Sequence, residues 1–156
     1  MELAIKNIQF TKNFSLYELL ASRTAAKWNI AEQYTPSEEV IHNLELLAKN
    51  VLQPIRELLG SPIVVTSGYR CLKVNKLNKG AKNSQHLIGQ AADLVLPNRE
   101  NKALFDCIVN NRQILPFDQC INEYNLDWIH ISFNEARNRK TFLSIVQGEP
   151  YKTITF

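Results

Sequence analysis

Cysteine is scarce and unpatterned in this chain of 156 residues: Cys71, Cys107 and Cys120 are an odd number with no CxxC pair. That argues against a disulfide framework and against a thiolate zinc knuckle, and leaves three free thiols, buried or half-buried. Glycine and proline are also few, at 5 and 6, and no stretch is dominated by Pro, Gly or Ser. With 45% hydrophobic and 21% charged residues, the composition excludes wholesale disorder and suits a packed core. No apolar run approaches the roughly 18 residues that span a bilayer, so no membrane span is expected. The N-terminal MELAIKNIQF lacks the basic segment, long apolar stretch and small-residue cleavage site of a secretory signal, so synthesis in the cytoplasm with no signal peptide is expected. The net charge of +3 is small and dispersed. It favours an anionic surface, but no basic, aromatic-interleaved stripe marks a nucleic-acid binder. The densest cationic cluster, Arg137, Arg139 and Lys140, reads as a solvated face.

What is present organises the chain as one domain over residues 1–156. Ser15-Leu16-Tyr17-Glu18 fits a capping box. Thr35-Pro36-Ser37-Glu38 repeats the start signal, with Pro at the first helical position. Val40, Ile41, Leu44, Leu47, Val51, Ile55 and Leu58 then recur at helical spacing up to Gly60, with a kink or break expected at Pro54. After Pro62 the pattern turns to strand over Ile63–Thr66, followed by a polar loop with Asn75, Asn78, Lys79 and Gly80. Further strands are expected at 91–96, 117–124 and 128–133, the last two joined by a turn at Asn125, with edge strands at 142–146 and 153–156. A helix capped by Asn98 is expected over 98–111. Helices first and strands mostly later make the class α+β, a small, largely antiparallel sheet with the N-terminal helices packed on it.

The chain has 3 histidines. His42 falls on the long amphipathic helix and reads as a solvated side chain. His86 sits in a polar loop and is followed after seven residues by Asp93, on a strand whose Ala91, Asp93 and Val95 share a face. A carboxylate among small apolar neighbours is costly unless it is paired or holds a metal. This segment alone fits both a metal pair and an Asp–His hydrogen bond that fixes a loop. His130 favours the metal, because it alternates with isoleucines and shares a face with Trp128 and Ser132. Two imidazole nitrogens and one carboxylate oxygen are the donor set of a catalytic zinc with an open position for water.

Such a site needs an acid/base group. Asp127, three residues before His130, is the first candidate, although on a regular strand the two face opposite ways. Glu123 is the second. Arg70 leaves a strand end through Gly68 and suits an oxyanion or a substrate carboxylate, or else a surface ion pair.

Ser67-Gly68-Tyr69-Arg70, Ser84-x-His86 with Gly89, Ala92-Asp93, and Trp128-Ile129-His130 together closely resemble the M15 metallopeptidases. These are the D-Ala-D-Ala carboxypeptidases and dipeptidases, with the phage L-Ala-D-Glu endolysins. The small phage- and prophage-type branch is the most similar, since Phe14-Ser15-Leu16-Tyr17-Glu18-Leu19, Ser22 and Phe117-Asp118-Gln119 also match it. The likeness runs from about residue 10 to about residue 135. It implies one zinc ion on His86, Asp93 and His130, Asp127 at the catalytic acidic position, and Arg70 as the oxyanion or substrate arginine. It also implies that Ser84 lines the site and contacts a substrate carboxylate. Many members have Glu where Asp127 stands, and Cys71 stands where a small residue such as Ser often follows the arginine. The implied fold is the small α+β one shared with the hedgehog signalling domain, whose zinc site also occurs in proteins that hydrolyse nothing.

The expected activity is zinc-dependent hydrolysis of peptidoglycan stem peptides, as a D-Ala-D-Ala carboxypeptidase or an L-Ala-D-Glu-type endopeptidase. The chain would act as a monomer on the cell wall after release. The alternative is a non-catalytic, zinc-stabilised wall-binding or phage structural module.

Overall fold

The structure, a computed structural model, describes residues 5–156, so the first residues of the N-terminal segment lie outside it. Two short helices, α1 (Leu16–Leu20) and α2 (Arg23–Trp28), precede the long helical stretch of α3 (Glu38–Leu47) and α4 (Gln53–Leu59). Strand β1 (Val64–Ser67), helix α5 (Leu72–Leu77), strand β2 (Ala91–Val95) and helix α6 (Lys102–Asn110) follow. Strands β3 (Gln119–Glu123), β4 (Trp128–Ser132), β5 (Thr141–Ile145) and β6 (Lys152–Ile154) complete the described residues.

The helix starts differ from the sequence pattern in instructive ways. Ser37, not Thr35, caps α3, its hydroxyl accepting the Val40 N–H at 3.3 Å, and Pro36 stays outside the helix. Serine is the better cap, and proline biases the residue before it towards extended backbone. At α1 the expected capping box does not close, since the Ser15 hydroxyl makes no capping bond. Pro54 does not break the long helix. The turn before it, Ala48–Leu52, widens to π spacing, which absorbs the missing donor. The stretch expected to be a polar loop contains α5, because Val74 is buried with Ala25, Ile30 and Cys71. The helix expected from Asn98 begins only at Lys102. Asn101, at its start, spends its side chain elsewhere, accepting the Leu96 N–H at 2.8 Å and donating to the Leu126 and Asp127 carbonyls at 2.8 and 3.0 Å.

The strands form one sheet in the order β1-β2-β4-β3-β5-β6. Every neighbouring pair is antiparallel except β3–β5, which is parallel. Period-2 alternation divides the two faces. Ala92, Leu94, Ile129, Ile131 and Cys120 turn inward to meet Leu16, Leu19, Leu44, Leu47, Val51 and Ile55 of the helices in one core. Each such large aliphatic side chain contributes roughly 1.5–3 kcal/mol when fully buried. The opposite face carries Asp93, His130, Ser132 and Glu123, so the strand pattern that builds the core also lays out the polar site.

Candidate metal centre

Register brings the site together. Asp93 of β2 lies opposite His130 of β4, and Ser67 at the end of β1 lies opposite Asp93 after a bulge. His86 arrives separately, on a short 3-10 helix, Gln85–Ile88. The Ser84 hydroxyl accepts the His86 N–H at 3.3 Å, and Gly89 closes the turn in the left-handed region at φ 75°. Helix α3 holds this turn in place: the Asn43 side chain donates to the Ile88 carbonyl at 2.8 Å, and a Cβ on Gly89 would stand 2.7 Å from the Val40 carbonyl oxygen.

Three donor atoms converge. His86 Nε2, His130 Nδ1 and Asp93 Oδ1 form a triangle with all three sides 3.2 Å, and all three residues are buried. Ligand atoms about 2.0–2.1 Å from a tetrahedral ion lie about 3.3–3.4 Å apart, so the triangle matches one face of such a coordination shell. The tautomer agrees. His86 Nδ1 donates to the Gly68 carbonyl at 2.7 Å, which leaves the Nε2 lone pair aimed at Asp93 Oδ1. Two acceptors facing each other at hydrogen-bond distance are satisfied by a cation between them. The residues present therefore fit a metal ion.

The electrostatics favour the ligand forms. Burial pushes the His86 imidazole below its ordinary pKa, and the attraction of Asp93 only partly offsets this, so the ring stays neutral. Burial alone would raise the Asp93 carboxyl, but the two imidazoles beside it, His86 and His130, outweigh that and hold the group well below the usual range. Arg70 is committed to the same carboxylate: Nη2 lies 2.6 Å from Asp93 Oδ2, and Nε donates to Ser67 Oγ at 2.8 Å. Sequence gave no hint of that bond. The Gly68–Cys71 segment is itself stapled by buried Gln33, whose amide donates to the Leu20 and Tyr69 carbonyls and whose oxygen accepts the Cys71 N–H. No local sequence signal marked Gln33, because its three partners belong to segments remote from it.

The triad opens into a cleft of about 950 Å³. Arg70, Ser84 and Glu123 line it. Asp127 is not among the lining residues and is exposed in the turn before β4. Glu123 lies opposite Trp128 in the β3–β4 register, two residues along from the Ile121–His130 pair and on the same face. Burial raises the Glu123 pKa and repulsion from Asp93 adds to it, against the pull of His130 and Arg70. Tyr124 and Trp128 stack at 5.2 Å between centroids at this end of the cleft. Arg139 is exposed, as expected of a solvated face, and also clamps buried Asp118 through two bonds of 2.8 and 2.7 Å. His42 is exposed, 3.5 Å from Glu135 and away from the cleft lining. The three cysteines are free.

The model of the Peptidase M15 family matches residues 12–132, well over half of the chain. The chain belongs to that family, whose peptidases are metal-dependent. No curated protein matches it. Among the described residues no helix is long and apolar enough to cross a membrane.

Proposed function

We propose that this M15 family member is a zinc-dependent hydrolase of peptide bonds in peptidoglycan stem peptides, with His86, Asp93 and His130 as the metal ligands and Glu123 as the acid/base group. One observation carries the reading: the buried 3.2 Å donor triangle opens into the same cleft that Glu123 lines. Two imidazoles and a carboxylate favour zinc among the divalent ions. Bound there, zinc supplies Lewis acidity, polarising a peptide carbonyl and making water acidic enough to attack near neutral pH.

Glu123 takes the proton from the attacking water and passes it to the leaving amine. A carboxyl raised by burial holds that proton more readily than an exposed one, which suits the second half of the task. We assign this role to Glu123 in preference to Asp127, because a proton-transfer group must reach the reacting atoms, Glu123 lines the cleft and Asp127 is exposed in the turn outside that lining. Arg70 orients Asp93 and presents its positive edge to the cleft, where it favours charge developing on the carbonyl oxygen. Ser84 combines a capping role for the His86 turn with a place in the lining, where a substrate polar group can reach it.

The test is incubation with soluble peptidoglycan fragments carrying intact stem peptides, with and without a chelator, read by mass spectrometry. A chelator-sensitive product is expected. Loss of one alanine identifies a carboxypeptidase and a split stem an endopeptidase. A folded, zinc-loaded sample that cuts no stem type would overturn the peptidase reading in favour of a binding module.

A further inference from the structure

The segment beyond the matched family region, residues 133–156, builds part of the cleft: Asn134, Arg137, Arg139, Leu143 and Tyr151 line it. Its position along the cleft follows from register. On the site face of β4, Trp128 pairs with Glu123, His130 lies in the middle and Ser132 comes last, opposite Ala91. The chain then runs directly into the turn over residues 134–139. That turn and Glu123 therefore stand at opposite ends of the cleft, with the donor triangle between them.

The turn is built rather than loose. The Asn134 N–H donates to Asn138 Oδ1 at 3.0 Å, and the Ala136 N–H donates to Asn134 Oδ1 at 2.9 Å. Arg139 anchors the far side, with its backbone N–H and guanidinium all on Asp118. The cations of the cleft then divide into two groups. Arg70 is ion-paired with Asp93 and Arg139 with Asp118. Arg137 and Lys79 line the same cleft and make no ion pair among the described residues. Arg137 is thus a guanidinium carried on a locked turn, at the mouth of the site, with its donors uncommitted. A planar fork of that kind suits a carboxylate.

We propose that Arg137 is a specificity determinant that holds a free carboxylate of the substrate peptide at the end of the cleft remote from Glu123. The proposal rests on the peptidase reading for the identity of the peptide, but not for its own measurement.

Binding is read by calorimetry on the zinc-loaded Glu123→Gln protein, in which turnover is expected to be slowed about 10²–10⁴-fold. The probes are stem pentapeptides with all carboxylates free, with the C-terminal carboxylate amidated, and with the D-Glu carboxylate amidated. One amidation is expected to weaken binding about tenfold, the size of one lost charge-assisted hydrogen bond. That same amidation identifies which carboxylate is held. Adding Arg137→Gln should collapse the free-to-amidated affinity ratio towards one, and Arg137→Lys should restore part of it. A ratio that Arg137→Gln leaves unchanged, or no preference for any free carboxylate, overturns the proposal. Failure of the peptidase reading shows separately, as absence of cleavage by the unmodified protein.

Discussion

Arg70 and Asp93 share a bond of 2.6 Å between Nη2 and Oδ2, which fixes the other carboxylate oxygen, Oδ1, at 3.2 Å from both imidazole nitrogens. The guanidinium therefore decides which oxygen faces the two imidazoles. Replacing a hydrogen-bond partner of a ligand costs about 10–100-fold in metal affinity. Arg70→Ala is expected to weaken zinc binding by that amount while leaving the fold intact, read by competition with a chromophoric chelator. Unchanged affinity would remove Arg70 from a positioning role.

Glu123 and Asp127 separate cleanly by mutation. Glu123→Gln should keep a full equivalent of zinc and lose about 10²–10⁴-fold in kcat, the usual share of a general acid/base group. Asp127→Ala should stay within a few-fold of the parent, since its side chain lies outside the cleft. Metal content and stem-peptide hydrolysis, measured on the same samples, decide between them; a silent Glu123→Gln would return the role to Asp127.

Metal removal should reduce stability. The apo protein keeps two acceptors facing each other in a buried site, and a ligand that binds only the folded state adds about 4 kcal/mol at a thousandfold excess over Kd. Zinc is expected to raise the Tm of the parent, with no such shift in His130→Ala. A Tm that does not respond to zinc or chelator would count against the donor triangle as a metal site.

Gly68 supplies the carbonyl that fixes the His86 tautomer, and a Cβ there would stand 2.3 Å from the Leu19 carbonyl oxygen. Backbone cannot yield as a flexible side chain can. Gly68→Ala is expected to cost about 1–3 kcal/mol by overpacking, seen in urea unfolding, and to weaken zinc binding as His86 shifts. Gly60 has open space around the same added atom, so Gly60→Ala should leave zinc affinity unchanged.

Asp118 gives a pH signature of stability. Its burial would raise the pKa, but hydrogen bonds from Arg139 and Gln85 outweigh that and hold the carboxyl below its ordinary 3.8. With the folded value below the unfolded one, the stabilisation is present above pH 3.8 and is lost as pH falls through the depressed folded value. Asp118→Asn should cost about 1.5–3 kcal/mol near neutral pH and flatten the acid limb of the unfolding free energy. An acid limb of the same steepness in the variant would assign it to other carboxylates.

The sequence by itself determined the class and the three residues of the donor triangle. Alternation across 91–95 and 128–132 placed Asp93 with the small residues of one face and His130 with Trp128 and Ser132, because strand periodicity is local and survives without tertiary information. It also marked the long amphipathic helix, whose Leu44, Leu47, Val51 and Ile55 are all buried. Local capping alternatives were harder to read, since Thr35 and Ser37 are both competent and only the backbone path chose Ser37. Tertiary structure alone decided the rest. The β3–β4 register carried Glu123 into the cleft and left Asp127 outside, although Asp127 is closer to His130 in sequence. Arg70 met Asp93, Arg139 met Asp118, and Gln33 met Leu20, Tyr69 and Cys71 through pairings between remote segments, for which a side chain carries no local signature. The uncommitted Arg137 became visible only once those partners were assigned, because whether a surface cation is free depends on which anions folding brings within reach.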